Sequence, residues 1–123
     1  MGAREKLEGY RGAKRELSDL KCRMTAAFRM AEASRLPGDK ERARTEAALY
    51  GAFAKRMEED LAEIEGAISK IQNPDARLAV RMRYLDGKTE VEIGHRIYMS
   101  DRSVRRLIAS AIEEIEKEER TEG

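Results

Sequence analysis

Tryptophan is absent, cysteine and histidine occur once each, and the chain holds only two prolines and two phenylalanines. Each scarcity excludes something. One cysteine, Cys22, has no partner for an intramolecular disulfide, and one histidine, His95, supplies no ligand set of metal-site spacing. Disulfide scaffolds and His/Cys metal centres are set aside, and a reducing cytoplasm is the expected location. No apolar run approaches the ~20 residues of a membrane span, and the opening Arg4-Glu5-Lys6 carries no apolar signal core, so no membrane partner is expected. No nucleophile–base pair and no glycine-rich phosphate loop occurs, so neither an enzyme nor a cofactor is expected.

What is abundant is charge. Charged residues make up 40% of the 123 positions and aromatics 5%, a balance that favours long solvated helices over a thick core. The length suits one compact unit, with or without an extended arm. The net charge of +1 conceals a polarised C-terminal third. From Arg77 to Arg106, eight Lys/Arg stand against four acids; after Arg106, six Glu stand against Lys117 and Arg120. Because salt screens charge beyond ~8 Å, a locally basic segment can hold phosphates on a chain that is neutral overall.

Pro37-Gly38, Asn73-Pro74 and Asp86-Gly87 punctuate the chain. Leu7, Tyr10, Leu17, Leu20, Met24, Phe28 and Ala31 recur at helical spacing before the first break. Tyr50, Phe53, Met57, Leu61, Ile64, Ile68 and Ile71 do so before the second, with Lys55, Arg56, Glu58, Glu59, Glu63 and Glu65 on the opposite face. The polar stretch between them, about 35–45, reads as a connector. Neither stripe can be buried alone, which leaves two solutions: an antiparallel hairpin within one chain, or pairing of these helices in a homodimer. The expected fold is therefore all-α. Residues 1–72 form a long coiled-coil-like antiparallel helical hairpin, followed over 73–123 by a three-helix unit. In that unit Asn73 caps a helix ending at Gly87, and shorter helices follow over Thr89–Ile97 and from Asp101 to about Glu118.

A helix-turn-helix needs a small residue where two helices cross, apolar anchors at fixed offsets and an exposed face on the second helix. Gly94 is the small residue; Ile93, Ile97, Met99, Val104 and Leu107 are the anchors, and Ile108, Ala111, Ile112 and Ile115 extend the buried face. Ser100 serves as N-cap, its hydroxyl free for the N–H of Arg102 or Ser103. The exposed first turns carry Asp101, Arg102, Ser103, Arg105, Arg106 and Ala109, the end of such a helix that meets base edges; arginine suits bidentate contact with guanine. Lys88, Thr89, Arg96 and Arg81 flank this face and are the candidates for phosphate contact.

The run from Arg77 to Glu116 resembles region 4 of sigma factors, and its pairing with an N-terminal helical arm resembles the small phage late-transcription regulators of the RinA and ArpU type. Arg83-Tyr84, Gly87, Ile93 and Ser100 carry that pattern here. The resemblance implies sequence-specific binding of double-stranded promoter DNA and activation of phage late genes, with RNA polymerase as a further partner. Two other classes share these features: a small terminase subunit, whose long helices build a ring around packaging DNA, and a helical protein-interaction module. A dimeric regulator prefers paired half-sites one helical turn apart, whereas a ring gives higher-order mass.

Overall fold

A computed structural model describes residues 2–122. The chain is all-helical, with no strand among the described residues: α1 (Ala3–Ala33), α2 (Pro37–Ser69), α3 (Pro74–Val80), a π-helical turn (Arg81–Leu85), α4 (Glu90–Ile97) and α5 (Asp101–Glu122). No helix among the described residues is long and apolar enough to cross a membrane. Two compact units result. One joins the chain up to Arg11 with everything from Glu63 onward; the other is Gly12–Ala62.

Within Gly12–Ala62, α1 and α2 run in opposite directions. Lys21 pairs with Glu58 at 2.7 Å, and Met24 lies against Gly51. The expected connector at about 35–45 is mostly helix: α2 begins at Pro37, leaving only residues 34–36 to reverse the chain. Proline lacks the N–H that a first turn leaves unpaired, Asp39 favours the helix N-terminus, and the Lys, Glu, Arg and Ala that follow are strong helix formers. The apolar stripes are buried or half-buried as expected except at two positions. Ala27 and Ala54 are buried, while Phe28 and Phe53, expected inside, are 51% and 55% exposed. Small residues on the seam allow close approach of two helices, and the phenylalanines fall to its flanks.

The other unit is built on a cluster of Ala3, Leu7, Ile68, Ile71, Ala76, Ala79, Val80, Ile93, Val104, Ile108, Ala111, Ile112 and Ile115. A boundary at 72/73 would cut this cluster, since α1 and α2 both contribute to it. Ile68, Ile71, Val80, Ile93 and Val104 are its largest fully enclosed side chains, each worth roughly 1.5–3 kcal/mol of burial. Asn73 caps α3 as expected, its side-chain oxygen accepting from the N–H groups of Asp75 and Ala76 at 2.9 and 3.2 Å. Arg77 closes the preceding bend by donating to the carbonyl of Ile71 at 2.9 Å. Past Val80 the helix widens: the Asp86 N–H reaches the carbonyl of Arg81, five residues back. Met82, Tyr84 and Leu85 pack against the cluster from this turn while Arg81 and Arg83 stay exposed. Gly87, at φ +72°, ends it in a conformation that costs glycine little.

Tyr10 is buried in this unit and donates its hydroxyl to Glu65, which is thereby half-buried rather than on the solvated face where its spacing placed it. Burial foremost, then the hydrogen bond to Glu65 and that carboxylate's charge, push its pKa up to about 12. A pKa raised above the unfolded value means stability that is whole below pH 10 and lost as pH climbs toward about 12. Urea unfolding across that window should show the native chain losing stability more steeply than Tyr10→Phe; parallel curves would contradict the assignment.

Candidate nucleic-acid interface

Local hydrogen bonds fix both short helices. The Thr89 hydroxyl accepts from the Glu92 N–H at 3.2 Å, and the Glu92 carboxylate accepts from the Thr89 N–H at 3.1 Å, a reciprocal cap on α4. These bonds hold the Glu92 carboxyl below its usual range. Ser100 caps α5: its hydroxyl accepts from the Ser103 N–H at 3.1 Å and donates to the Ser103 hydroxyl at 3.0 Å. The expectation of a cap on Arg102 or Ser103 resolves to Ser103.

Between the helices the chain turns at Tyr98, whose φ of 58° and ψ of 47° are left-handed. The Tyr98 and Met99 N–H groups both donate to the carbonyl of Gly94, the latter at 2.9 Å. Gly94 is buried, and a Cβ there would run into the backbone oxygen of Met99. Only glycine fits, as the sequence implied. Behind this turn Ile93 and Val104 are fully enclosed, locking α4 to α5.

All nine expected contact residues, Lys88, Thr89, Arg96, Ser100, Asp101, Arg102, Ser103, Arg105 and Arg106, are exposed on this unit. Their engagement differs. Thr89 and Ser100 spend their hydroxyls on helix caps, and the Ser103 hydroxyl accepts from that of Ser100. Arg105 is tied by its Nε to Glu90 at 3.0 Å and lies 4.0 Å from Asp101. Lys88, Arg96, Arg102 and Arg106 show no ion pair among the described residues. Arg102 and Arg106 stand one turn apart on one face of α5, so two free guanidinium forks point from the same surface. Beyond them the helix is acidic, with Glu113, Glu114, Glu116, Glu118 and Glu119.

Two features escaped the sequence reading. Glu90 was not expected to hold Arg105, because a pair 15 residues apart depends on how α4 and α5 cross. Tyr98, 95% exposed, gave no left-handed signal because such positions usually hold Gly or Asn. A non-glycine residue there costs roughly 1–2 kcal/mol, and so exposed a ring returns little packing. Tyr98→Gly is expected to raise the melting temperature by about 3 °C; a lower one would show that the ring holds the turn. No group of three or more His, Cys, Asp or Glu is arranged to hold a metal among the described residues. Comparison with protein-family models, curated proteins and solved structures finds no match for this chain.

Proposed function

We propose that the chain is a cytoplasmic, sequence-specific DNA-binding transcriptional regulator. In this reading a long helical hairpin carries a helix-turn-helix made by α4, the Tyr98 turn and α5. The observation that carries it is the pair Arg102 and Arg106, exposed and unpaired on the first two turns of a helix whose start is fixed by the Gly94 turn and the Ser100 cap. Guanidinium groups set this way suit the O6 and N7 acceptors of guanine in a major groove. Lys88 and Arg96 lie near enough in sequence to take phosphates and set register. The glutamates of the later turns would be repelled by the backbone, so only the first half of α5 enters the groove. The resemblance to sigma region 4 and to phage late regulators narrows the reading to promoter DNA, with polymerase contact as its regulatory output.

Fluorescence anisotropy against a library of duplexes, across a salt series, tests this. A selected duplex should bind at least ~10³-fold tighter than scrambled DNA. Equal binding to all duplexes removes sequence reading, and no binding at low salt removes DNA altogether.

A further inference from the structure

We propose that the Gly12–Ala62 unit is a homodimerisation module whose apolar flank, carrying Met30, Leu49 and Phe53, packs on the same flank of a second copy of the chain. The inside of this unit is thin. Its buried apolar residues are Leu17, Ala27, Ala31, Ala43, Ala47, Ala54 and Leu61, five of the seven being alanine. An alanine methyl contributes about 0.8 kcal/mol where a large aliphatic contributes about 1.5–3. Several large apolar side chains are outside: Met30 is 62% exposed, Leu49 54% and Phe53 55%, besides Phe28 and Leu36.

These three share a side. The seam residues of α2, from Ala43 through Ala47, Tyr50, Ala54 and Met57 to Leu61, alternate in steps of four and three, and those of α1 from Leu20 to Ala31 do the same. The ion pair of Lys21 with Glu58 marks one flank of that seam on both helices. At about 100° per residue, Phe28 falls on this charged flank, whereas Met30 of α1 and Phe53 and Leu49 of α2 fall on the opposite one. Ala26 smooths the surface between them, and Arg23 and Glu46 bracket it.

A second copy is the occupant that fits. Three large side chains more than half exposed, with the adjoining alanine and the stems of flanking residues, offer roughly 500 Å² per copy, or about 1,000 Å² for a symmetric pair, where specific interfaces begin. Over Gly12–Ala62 eleven basic residues stand against nine acidic, so two copies carry no field that drives them apart, and the surface has no bias toward an anionic partner. Two such hairpins face to face make a four-helix layer that buries what each leaves exposed.

Sedimentation velocity of the full chain without DNA is the test, so its result stands apart from the DNA reading. The expected mass is twice 14.0 kDa. Leu49→Glu with Phe53→Glu should weaken association at least about a hundredfold with helical circular dichroism retained, while Phe28→Ser, on the other flank, leaves the dimer intact. Should the double variant unfold, spin labels on the exposed Cys22 of the otherwise native chain give the second readout: dipolar coupling that vanishes on dilution with unlabelled chain supports the dimer. A monomer up to hundreds of micromolar overturns the proposal and leaves this flank to a different protein. A dimer lost through Phe28→Ser but kept with Leu49→Glu and Phe53→Glu overturns it too, by placing the interface on the charged flank.

Discussion

Gly94→Leu should destabilise the chain by about 3 kcal/mol or more, a shift of roughly 1–2 M in the urea midpoint. The magnitude follows from what the new side chain meets. Its Cβ would land on the backbone oxygen of Met99, and a backbone atom cannot swing aside as a methionine tip can. Nor can the turn relax outward, since Met99 is held to the Gly94 carbonyl at 2.9 Å and the next residue, Ser100, already caps α5. Relief would require α4 and α5 to separate, exposing Ile93 and Val104. Even Gly94→Ala should cost more than 1 kcal/mol, because the clash begins at Cβ. Gly66→Ala is the control: nothing lies within 4 Å of that site, so the gain in helix propensity, up to about 1 kcal/mol, is uncompensated by crowding. A Gly94→Leu chain that unfolds at the native urea concentration would mean that α4 and α5 do not cross at Gly94.

The same comparison of glycines shows what the sequence could and could not disclose. Gly94 and the caps at Asn73 and Ser100 are local devices, decided by residues within five or six positions, and the helices they open begin where the sequence places them. Features that depend on distant packing were less legible. Phe28 and Phe53 fit a hydrophobic stripe as well as Ala27 and Ala54 do, and the close approach of α1 and α2 decides in favour of the small residues. The polarity of Lys40, Glu41 and Arg42 suggested a connector, but an exposed helix is equally polar, and Pro37 served as a start where a break was read. The π turn at Arg81–Leu85 left no compositional mark. For the candidate interface the residue types and their exposure were legible, and their pairing was not. Arg102, Arg105 and Arg106 look alike in sequence, yet only Arg105 lies within reach of Glu90.

That difference sets the second large effect. Arg102→Ala with Arg106→Ala should lower affinity for a selected duplex by about 10²–10⁴-fold, each lost bidentate contact accounting for ~1–3 kcal/mol of discrimination. Both side chains are exposed and lie off the buried face of α5, so helical content and urea midpoint should hold. Arg105→Ala should behave otherwise: it breaks the link to Glu90 at 3.0 Å, loosening α4 against α5, and reduces affinity only modestly. Lys88→Ala and Arg96→Ala should weaken binding to all sequences alike and flatten the salt dependence by about one phosphate contact each. Anisotropy titrations of the four variants against selected and scrambled duplexes separate these behaviours. If Arg102 and Arg106 can be removed with less than a threefold loss while Arg105→Ala abolishes preference for the selected duplex, the reading face of α5 is turned by one residue and the Glu90 pair must open for binding. If the double variant loses its helices instead, the two arginines belong to the fold, and the proposed interface moves to Lys88 and Arg96.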